Sequence, residues 1–116
     1  MSQETGNATR HWRNQRMTSI ALLPLASWFL FSLLRQPDLD HATVTAWLAQ
    51  PLQAALAVLF GGLVLWHSIQ GLRVVLEDYV GGRWLAPALW SSRVLHGAAA
   101  AAFAWAMWTI AGGGSA

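Results

Sequence analysis

The 116-residue chain contains no cysteine and no lysine, and only 10% of its residues are charged. Without cysteine it cannot form disulfides, hold an iron–sulfur cluster through thiolates or attach haem covalently. Any redox centre bound here therefore needs other ligands. The low charge, against 55% hydrophobic residues, also argues against a soluble globular domain. The composition indicates a protein whose solvent is lipid.

Three stretches contain no Asp, Glu, Arg or Lys. They are residues 17–34 (18 residues), 42–72 (31 residues) and 94–116 (23 residues). A membrane-spanning helix needs about 20 predominantly apolar residues, so each stretch can cross a bilayer once. We expect one all-α membrane domain over residues 1–116, with three transmembrane helices at about 17–35, 51–78 and 90–111. A polar N-terminal tail, residues 1–10, is expected to lack regular structure.

The arginines lie at the ends of the apolar stretches and not along a basic stripe, which argues against a nucleic-acid partner. Six of them fall into two groups, one before the first span and one around the second connection: Arg10, Arg13, Arg16, Arg73, Arg83 and Arg93. Because arginine excess marks the cytoplasmic side, the N-terminus and the second connection are expected there. The lack of a transit-like extension favours a bacterial inner membrane.

The first connection, residues 35–41 (RQPDLDH), is polar and contains a proline. Asp40 is well placed to cap a short interfacial helix that reaches about Gln50, and Pro51 suits the first position of the second span. In the third span, residues 97–102 (GAAAAA) are small enough to let another helix approach closely.

The second span ends in HSIQGLRVVLEDYV, residues 67–80, with a histidine inside the apolar run and an Asp-Tyr pair at its end. Asp78 lies eleven residues after His67, so the two share a helix face at a separation of roughly 16 Å. An imidazole in lipid needs partners for both ring nitrogens. A polar group on a neighbouring helix or a metal can supply one, and Gly71 leaves a gap that suits a flat macrocycle.

Other polar residues near this end have simpler interpretations. Taken singly, Asp78 and Tyr79 are consistent with a helix that ends at the headgroups. Arg73 and Glu77, at i and i+4, are expected to form a surface ion pair. His96 matches no motif, and a structural or haem-edge contact is its favoured role.

Together, His67, Gly71, Asp78 and Tyr79 form the pattern H-x(3)-G-x(6)-D-Y on the second of three spans. This pattern, with the arginine of NQRMTSIALLPL at the start of the first span, resembles the small hydrophobic membrane-anchor subunit of succinate dehydrogenase, a succinate:quinone oxidoreductase. The resemblance extends over most of the chain.

The resemblance implies that His67 is one axial ligand of a b-type haem (haem b), with the second ligand supplied by a partner anchor subunit. It also implies that Tyr79 hydrogen-bonds ubiquinone with Asp78 beside it, and that Arg16 contacts a haem propionate. The chain would be a non-catalytic anchor for the iron–sulfur and flavoprotein subunits. That complex passes electrons from succinate to ubiquinone, in the tricarboxylic acid cycle and the respiratory chain.

Two other functions stay open on the sequence. A self-contained cytochrome b-like protein would bind iron through His67 and His96 of the same chain. A non-redox membrane adaptor would use His67 for helix packing alone.

Overall fold

The computed structural model describes residues 2–113, and all the regular structure in that range is helical. A single 3₁₀ turn, Gly82–Trp84, precedes the last long helix, and a π-type turn, Thr109–Gly113, follows it. The four α-helices are α1 (Ser2–Leu34), α2 (His41–Leu48), α3 (Pro51–Tyr79) and α4 (Leu85–Trp108).

Helix α3 is the centre of the bundle, because it packs against both α1 and α4 while the short α2 lies against it as well. The bundle is elongated, with extents of 54 × 27 × 20 Å. The 29 residues of α3 span roughly 44 Å at 1.5 Å per residue. This length exceeds the hydrocarbon core of about 30 Å, so α3 extends past the membrane at one or both ends.

Three helical segments are long and apolar enough to cross a membrane, namely Gly6–Leu34, Pro51–Tyr79 and Gly82–Gly112. Only 6% of the most apolar window of each segment is buried inside the chain. Among the described side chains, the buried hydrophobic ones are Trp47, Ala57 and Met107. The remaining apolar surface must therefore face lipid or other protein chains, and the expected all-α fold with three spans is confirmed.

Helix α1 begins earlier than we expected. The tail, residues 1–10, was expected to lack regular structure, but it is helical from Ser2 onward, and residue 1 lies outside the described residues. No proline interrupts this part of the chain, so the backbone hydrogen bonds of the first span continue into it. Pro24 also lies inside α1 without ending it, as membrane helices allow.

The first connection forms the short helix that the sequence predicts. Asp40 is its N-cap, and Oδ1 of Asp40 accepts a hydrogen bond of 2.8 Å from the backbone N–H of Thr43. Hydrogen bonding by the Thr43 side chain, and then by its backbone N–H, holds the pKa of Asp40 below its ordinary value. Pro51 is the first residue of α3, also as expected.

An aromatic cluster joins α1, α2 and α3 near the first connection. The rings of Phe29 and Phe60 stack with centroids 5.5 Å apart, and Trp47 lies 5.8 Å from Phe29 and 5.9 Å from Trp28. Trp47 is the largest buried side chain among those described. Such aromatic pairs stabilise a fold beyond their buried area, so this cluster sets how the first two spans meet.

Helices α3 and α4 approach closely at Gly61 and not at the small residues of α4. The ring of Phe103 occupies the space that a Cβ on Gly61 would need. Residues 97–102 are exposed, and a Cβ on Gly97 would meet no atom within 4 Å. No described part of this chain uses that small-residue stretch for a close approach.

Helix α4 begins at Leu85, about five residues before the expected start of the third span. Pro87 falls in its first turn, where a missing backbone N–H costs nothing, because that group has no partner within the helix. Gly82 precedes α4 with a φ of 63°, a left-handed conformation that glycine adopts without steric cost.

Candidate functional site

His67 faces α1 and contacts a buried threonine there. Nδ1 of His67 lies 2.9 Å from Oγ1 of Thr18, and Thr18 is 9% exposed. The Thr18 hydroxyl is also 2.9 Å from the carbonyl oxygen of Asn14 and 3.0 Å from that of Gln15. One partner considered for this histidine, a polar group on a neighbouring helix, is therefore present and is hydrogen-bonded to Nδ1.

The other ring nitrogen of His67, Nε2, has no partner among residues 6–112. It is not among the buried side-chain atoms that lack a hydrogen bond, so it is not sealed inside the chain. An imidazole that is hydrogen-bonded at one nitrogen and open at the other is the usual form of a metal ligand. The residues present at this position thus fit an axial ligand of haem.

Gly71 faces α1, and a Cβ added to it would lie 3.4 Å from Nε2 of Gln15. Gly71 also lines a cleft between α1 and α3. The gap expected beside Gly71 is thus bordered by the Gln15 side chain and continues into that cleft.

A polar cleft of about 800 Å³ separates the first turns of α1 from the last turns of α3. Its walls include His11 and Gln15 from α1, and Arg73 and Glu77 from α3. Nε2 of His11 and Oε1 of Gln15 are buried without a hydrogen-bond partner in the described structure. The cleft therefore offers polar atoms to a ligand, water or partner on the same helix face as Thr18.

We did not predict these α1 residues from the sequence, although a signal was present. His11, Gln15 and Thr18 follow the i, i+4, i+7 spacing of one helix face, at the edge of an apolar run. Polar residues in that pattern indicate a face that packs against protein rather than lipid.

His96 is a structural residue with both ring nitrogens in use. Its Nδ1 lies 2.8 Å from the carbonyl oxygen of Ser92, which only accepts, so Nδ1 carries the proton. Its Nε2 lies 2.9 Å from Oγ of Ser68 on α3 and accepts that hydroxyl proton. In this arrangement the Nε2 lone pair of His96 is occupied by the Ser68 hydroxyl.

Asp78 and Tyr79 end α3 and are exposed, with Tyr79 at 85%. Tyr79 follows His67 by twelve residues, or roughly 18 Å along the helix, so the structure does not bring these two side chains together. The nearby pair of Arg73 and Glu77 forms the expected ion pair, with Nε of the arginine 2.7 Å from the carboxylate. Both partners are largely exposed, so this pair contributes little to stability.

Arg16 is placed away from His67. Its guanidinium carbon lies 5.1 Å from the centroid of the Trp12 ring, in a cation–π contact. Arg16 precedes Thr18 by two residues, which puts it about 200° around α1 from the face that meets His67. The contact between Arg16 and a haem propionate stays a prediction.

Within residues 2–113, no group of three or more His, Cys, Asp or Glu side chains gathers in a way that could hold a metal ion.

A comparison with known families bears on the class of protein to which the chain belongs. The family model described as the succinate dehydrogenase/fumarate reductase transmembrane subunit matches residues 4–111. The chain belongs to this family. Membership confirms the resemblance drawn from the sequence, and it makes the chain a membrane-embedded part of a complex and not a complete enzyme.

Several curated relatives are named succinate dehydrogenase hydrophobic membrane anchor subunit. The relative from Rickettsia typhi is 25% identical over 79 residues, covering 68% of this chain and 63% of its own length. That from Rickettsia felis is 30% identical over 74 residues, covering 64% of this chain and 62% of its own length. The chain thus spans less than two thirds of these relatives. No solved structure matches it significantly.

Family membership weighs against the two other functions considered. Both nitrogens of His96 are hydrogen-bonded, so a self-contained cytochrome would require Ser68 to release Nε2. The family and the three apolar helices make the chain a multi-pass membrane protein.

Proposed function

We propose that this chain is a membrane-anchor subunit of succinate dehydrogenase that co-ligates a b-type haem with a second anchor subunit and forms part of the ubiquinone-reduction site. The observation that carries the proposal is the arrangement at His67, where Nδ1 meets Thr18 and Nε2 has no partner among the described residues. Family membership and the names of the relatives supply the enzyme class.

His67 would hold the haem through Nε2. A b-type haem, when bound, takes up and returns one electron. The chain itself supplies a lone pair at Nε2 and a ring held from the Nδ1 side by α1. Because both nitrogens of His96 are hydrogen-bonded within the chain, the partner anchor subunit is the proposed source of the second axial ligand.

Tyr79 would contribute to the quinone site. Its phenol is exposed at the end of α3, where a quinone in the lipid can reach it. A phenol O–H donates a hydrogen bond to a quinone carbonyl oxygen, and this bond strengthens as negative charge develops there. Asp78, the preceding residue and equally exposed, would orient this region or help to deliver protons.

The proposed setting is a bacterial inner membrane, with the N-terminus and the connection between α3 and α4 in the cytoplasm. The arginine groups at both places support this orientation, and the relatives are bacterial. The iron–sulfur and flavoprotein subunits would assemble on that side, next to Tyr79. The chain itself anchors the complex and shapes the quinone pocket.

The test compares the two histidines in the complex purified from membranes. We expect the flavoprotein, the iron–sulfur protein and a second membrane anchor to co-purify with the chain, and the wild-type complex to show a reducible b-type spectrum. His67→Ala should abolish that spectrum, because it removes an axial ligand. His96→Ala is the matched control and should retain it, because this histidine only joins α3 to α4.

Three results would contradict the proposal in different ways. Loss of haem in His96→Ala with retention in His67→Ala would make His96, and not His67, the axial ligand. Loss of haem in both variants would favour the self-contained cytochrome. A wild-type assembly without any reducible b-type spectrum, and unchanged by His67→Ala, would favour the adaptor.

A further inference from the structure

We infer that Thr18 is the positioning residue for His67: it selects the tautomer with the proton on Nδ1 and aims Nε2 at the haem iron. The inference rests on the proposed function, because it assumes that His67 is an axial ligand. It gives α1 the role of orienting the His67 ring, which follows neither from the sequence pattern around His67 nor from the description of the family.

The direction of the hydrogen bond follows from counting protons. The Thr18 hydroxyl has one proton, and two carbonyl oxygens of its own helix, those of Asn14 and Gln15, lie 2.9 Å and 3.0 Å from its oxygen. Carbonyl oxygens only accept, and a bond from a hydroxyl to the carbonyl three or four residues back is the usual one for a threonine inside a helix. With its proton on these carbonyls, the Thr18 oxygen presents a lone pair to Nδ1 of His67, 2.9 Å away, and Nδ1 donates.

Burial makes this arrangement persistent. Thr18 is 9% exposed and lies between two apolar helices, so water does not compete for its oxygen. An unpaired N–H or hydroxyl in this environment is costly. A flipped imidazole would break the bond to Thr18. A ring with the proton on Nε2 would require the Thr18 hydroxyl to leave the carbonyl oxygens of its own helix and donate to Nδ1.

The position of the ring proton determines which nitrogen of His67 can bind a metal. With the proton on Nδ1, the lone pair of the neutral ring is on Nε2, as ligation requires. A hydrogen bond from the far ring nitrogen also fixes the ring's orientation and makes the ligand more basic. Greater basicity favours the oxidised iron, so loss of the Thr18 oxygen should raise the reduction potential of the haem.

Ser19 offers an internal comparison on the same helix. Its hydroxyl makes the same kind of local bond, 2.8 Å to the carbonyl oxygen of Gln15, but Ser19 is exposed and on another face of α1. Removing the Ser19 hydroxyl takes away a local bond of α1 and leaves His67 untouched. Ser19→Ala is therefore a matched control for the changes at Thr18.

The experiment measures the haem of the purified complex in Thr18→Val, Thr18→Ala, Thr18→Ser and Ser19→Ala. The readouts are the potentiometric midpoint of the haem absorption band, the electron paramagnetic resonance g values of the oxidised haem, and retained haem per complex. We expect Thr18→Val and Thr18→Ala to shift the midpoint upward, change the g values and weaken haem retention by about 10- to 100-fold. Thr18→Ser and Ser19→Ala should match the wild type.

A midpoint and g values in Thr18→Ala identical to those in Thr18→Ser would overturn the inference, because these variants differ only in the hydroxyl. This pair also decides the matter if Thr18→Val does not assemble. Failure of the proposed function is separate: it appears as haem retained in His67→Ala. If His67→Ala loses the haem and Thr18→Ala leaves its potential unchanged, only the role of Thr18 is wrong.

Discussion

At the scale of single residues, His67 and His96 lie on neighbouring helices but differ in their hydrogen bonding. Both ring nitrogens of His96 are hydrogen-bonded, one to Ser68 of α3 and the other to Ser92 of α4, so His96 joins these two helices. His67 forms a hydrogen bond to Thr18 through Nδ1, and its Nε2 has no partner among the described residues. Because intramembrane ionisable groups are expensive to bury, the open nitrogen is the better indicator of function.

Tyr79→Phe tests the quinone role at this scale. The change removes one hydroxyl from a side chain that is 85% exposed and packs little within the chain, so the fold should be unaffected. Loss of one hydrogen bond to substrate costs about 0.5–1.5 kcal/mol. We therefore expect succinate–quinone activity to fall about 2- to 10-fold. Succinate oxidation by a soluble dye, measured on the same preparation, should stay near the wild-type rate; an equal fall in both rates would contradict a local quinone role.

At the scale of helices, local sequence signals predict where a helix begins. They predict less well which residues of two helices are in contact. Asp40 and Pro51 mark the starts of α2 and α3 as their capping chemistry requires. The small residues of α4 suggest a close approach there, but the approach within the chain is at Gly61 of α3, against Phe103. Small residues permit contact, and only the arrangement of the helices decides which of them is used.

A glycine pair on α3 tests this contact. Gly61→Val should displace the Phe103 ring and lower stability by about 1–3 kcal/mol, the usual cost of overpacking. Gly62→Val is the matched control, because a Cβ on Gly62 meets no atom within 4 Å and the helix-propensity change is the same. Thermal unfolding of the purified complex in detergent should show a lower midpoint for Gly61→Val. Equal midpoints in both variants would show that the Gly61 contact does not hold α3 against α4.

At the scale of the whole molecule, the chain by itself buries little of its apolar surface. Large side chains such as Leu30, Phe31 and Trp105 are exposed at 58%, 70% and 69%, and the described core holds few buried residues. A bundle of this kind relies on lipid and on partner subunits to cover its surface. The haem site proposed at His67 and the exposed Tyr79 are consistent with that dependence.

The absence of cysteine makes the proposed orientation directly testable. Leu39, 58% exposed in the first connection, and Gly81, where a Cβ meets no atom within 4 Å, can each be changed to cysteine. A membrane-impermeant maleimide should label Leu39→Cys in right-side-out vesicles and Gly81→Cys in inverted ones. The unaltered chain has no cysteine, so it is the negative control for labelling. The reverse labelling pattern would place the N-terminus outside.

The sequence by itself determined the number of spans, the starts of α2 and α3 and the pattern that joins His67 to Asp78 and Tyr79. These properties depend on charge-free length, capping residues and spacing along one helix, which are all local. Tertiary structure alone decided that Thr18 meets His67, that Gln15 lies beside Gly71 and that both nitrogens of His96 are hydrogen-bonded. The physical reason is that lipid is as apolar as the side chains facing it. Hydropathy therefore does not say which face of a span meets protein, and polar pairs and close contacts between distant residues decide it.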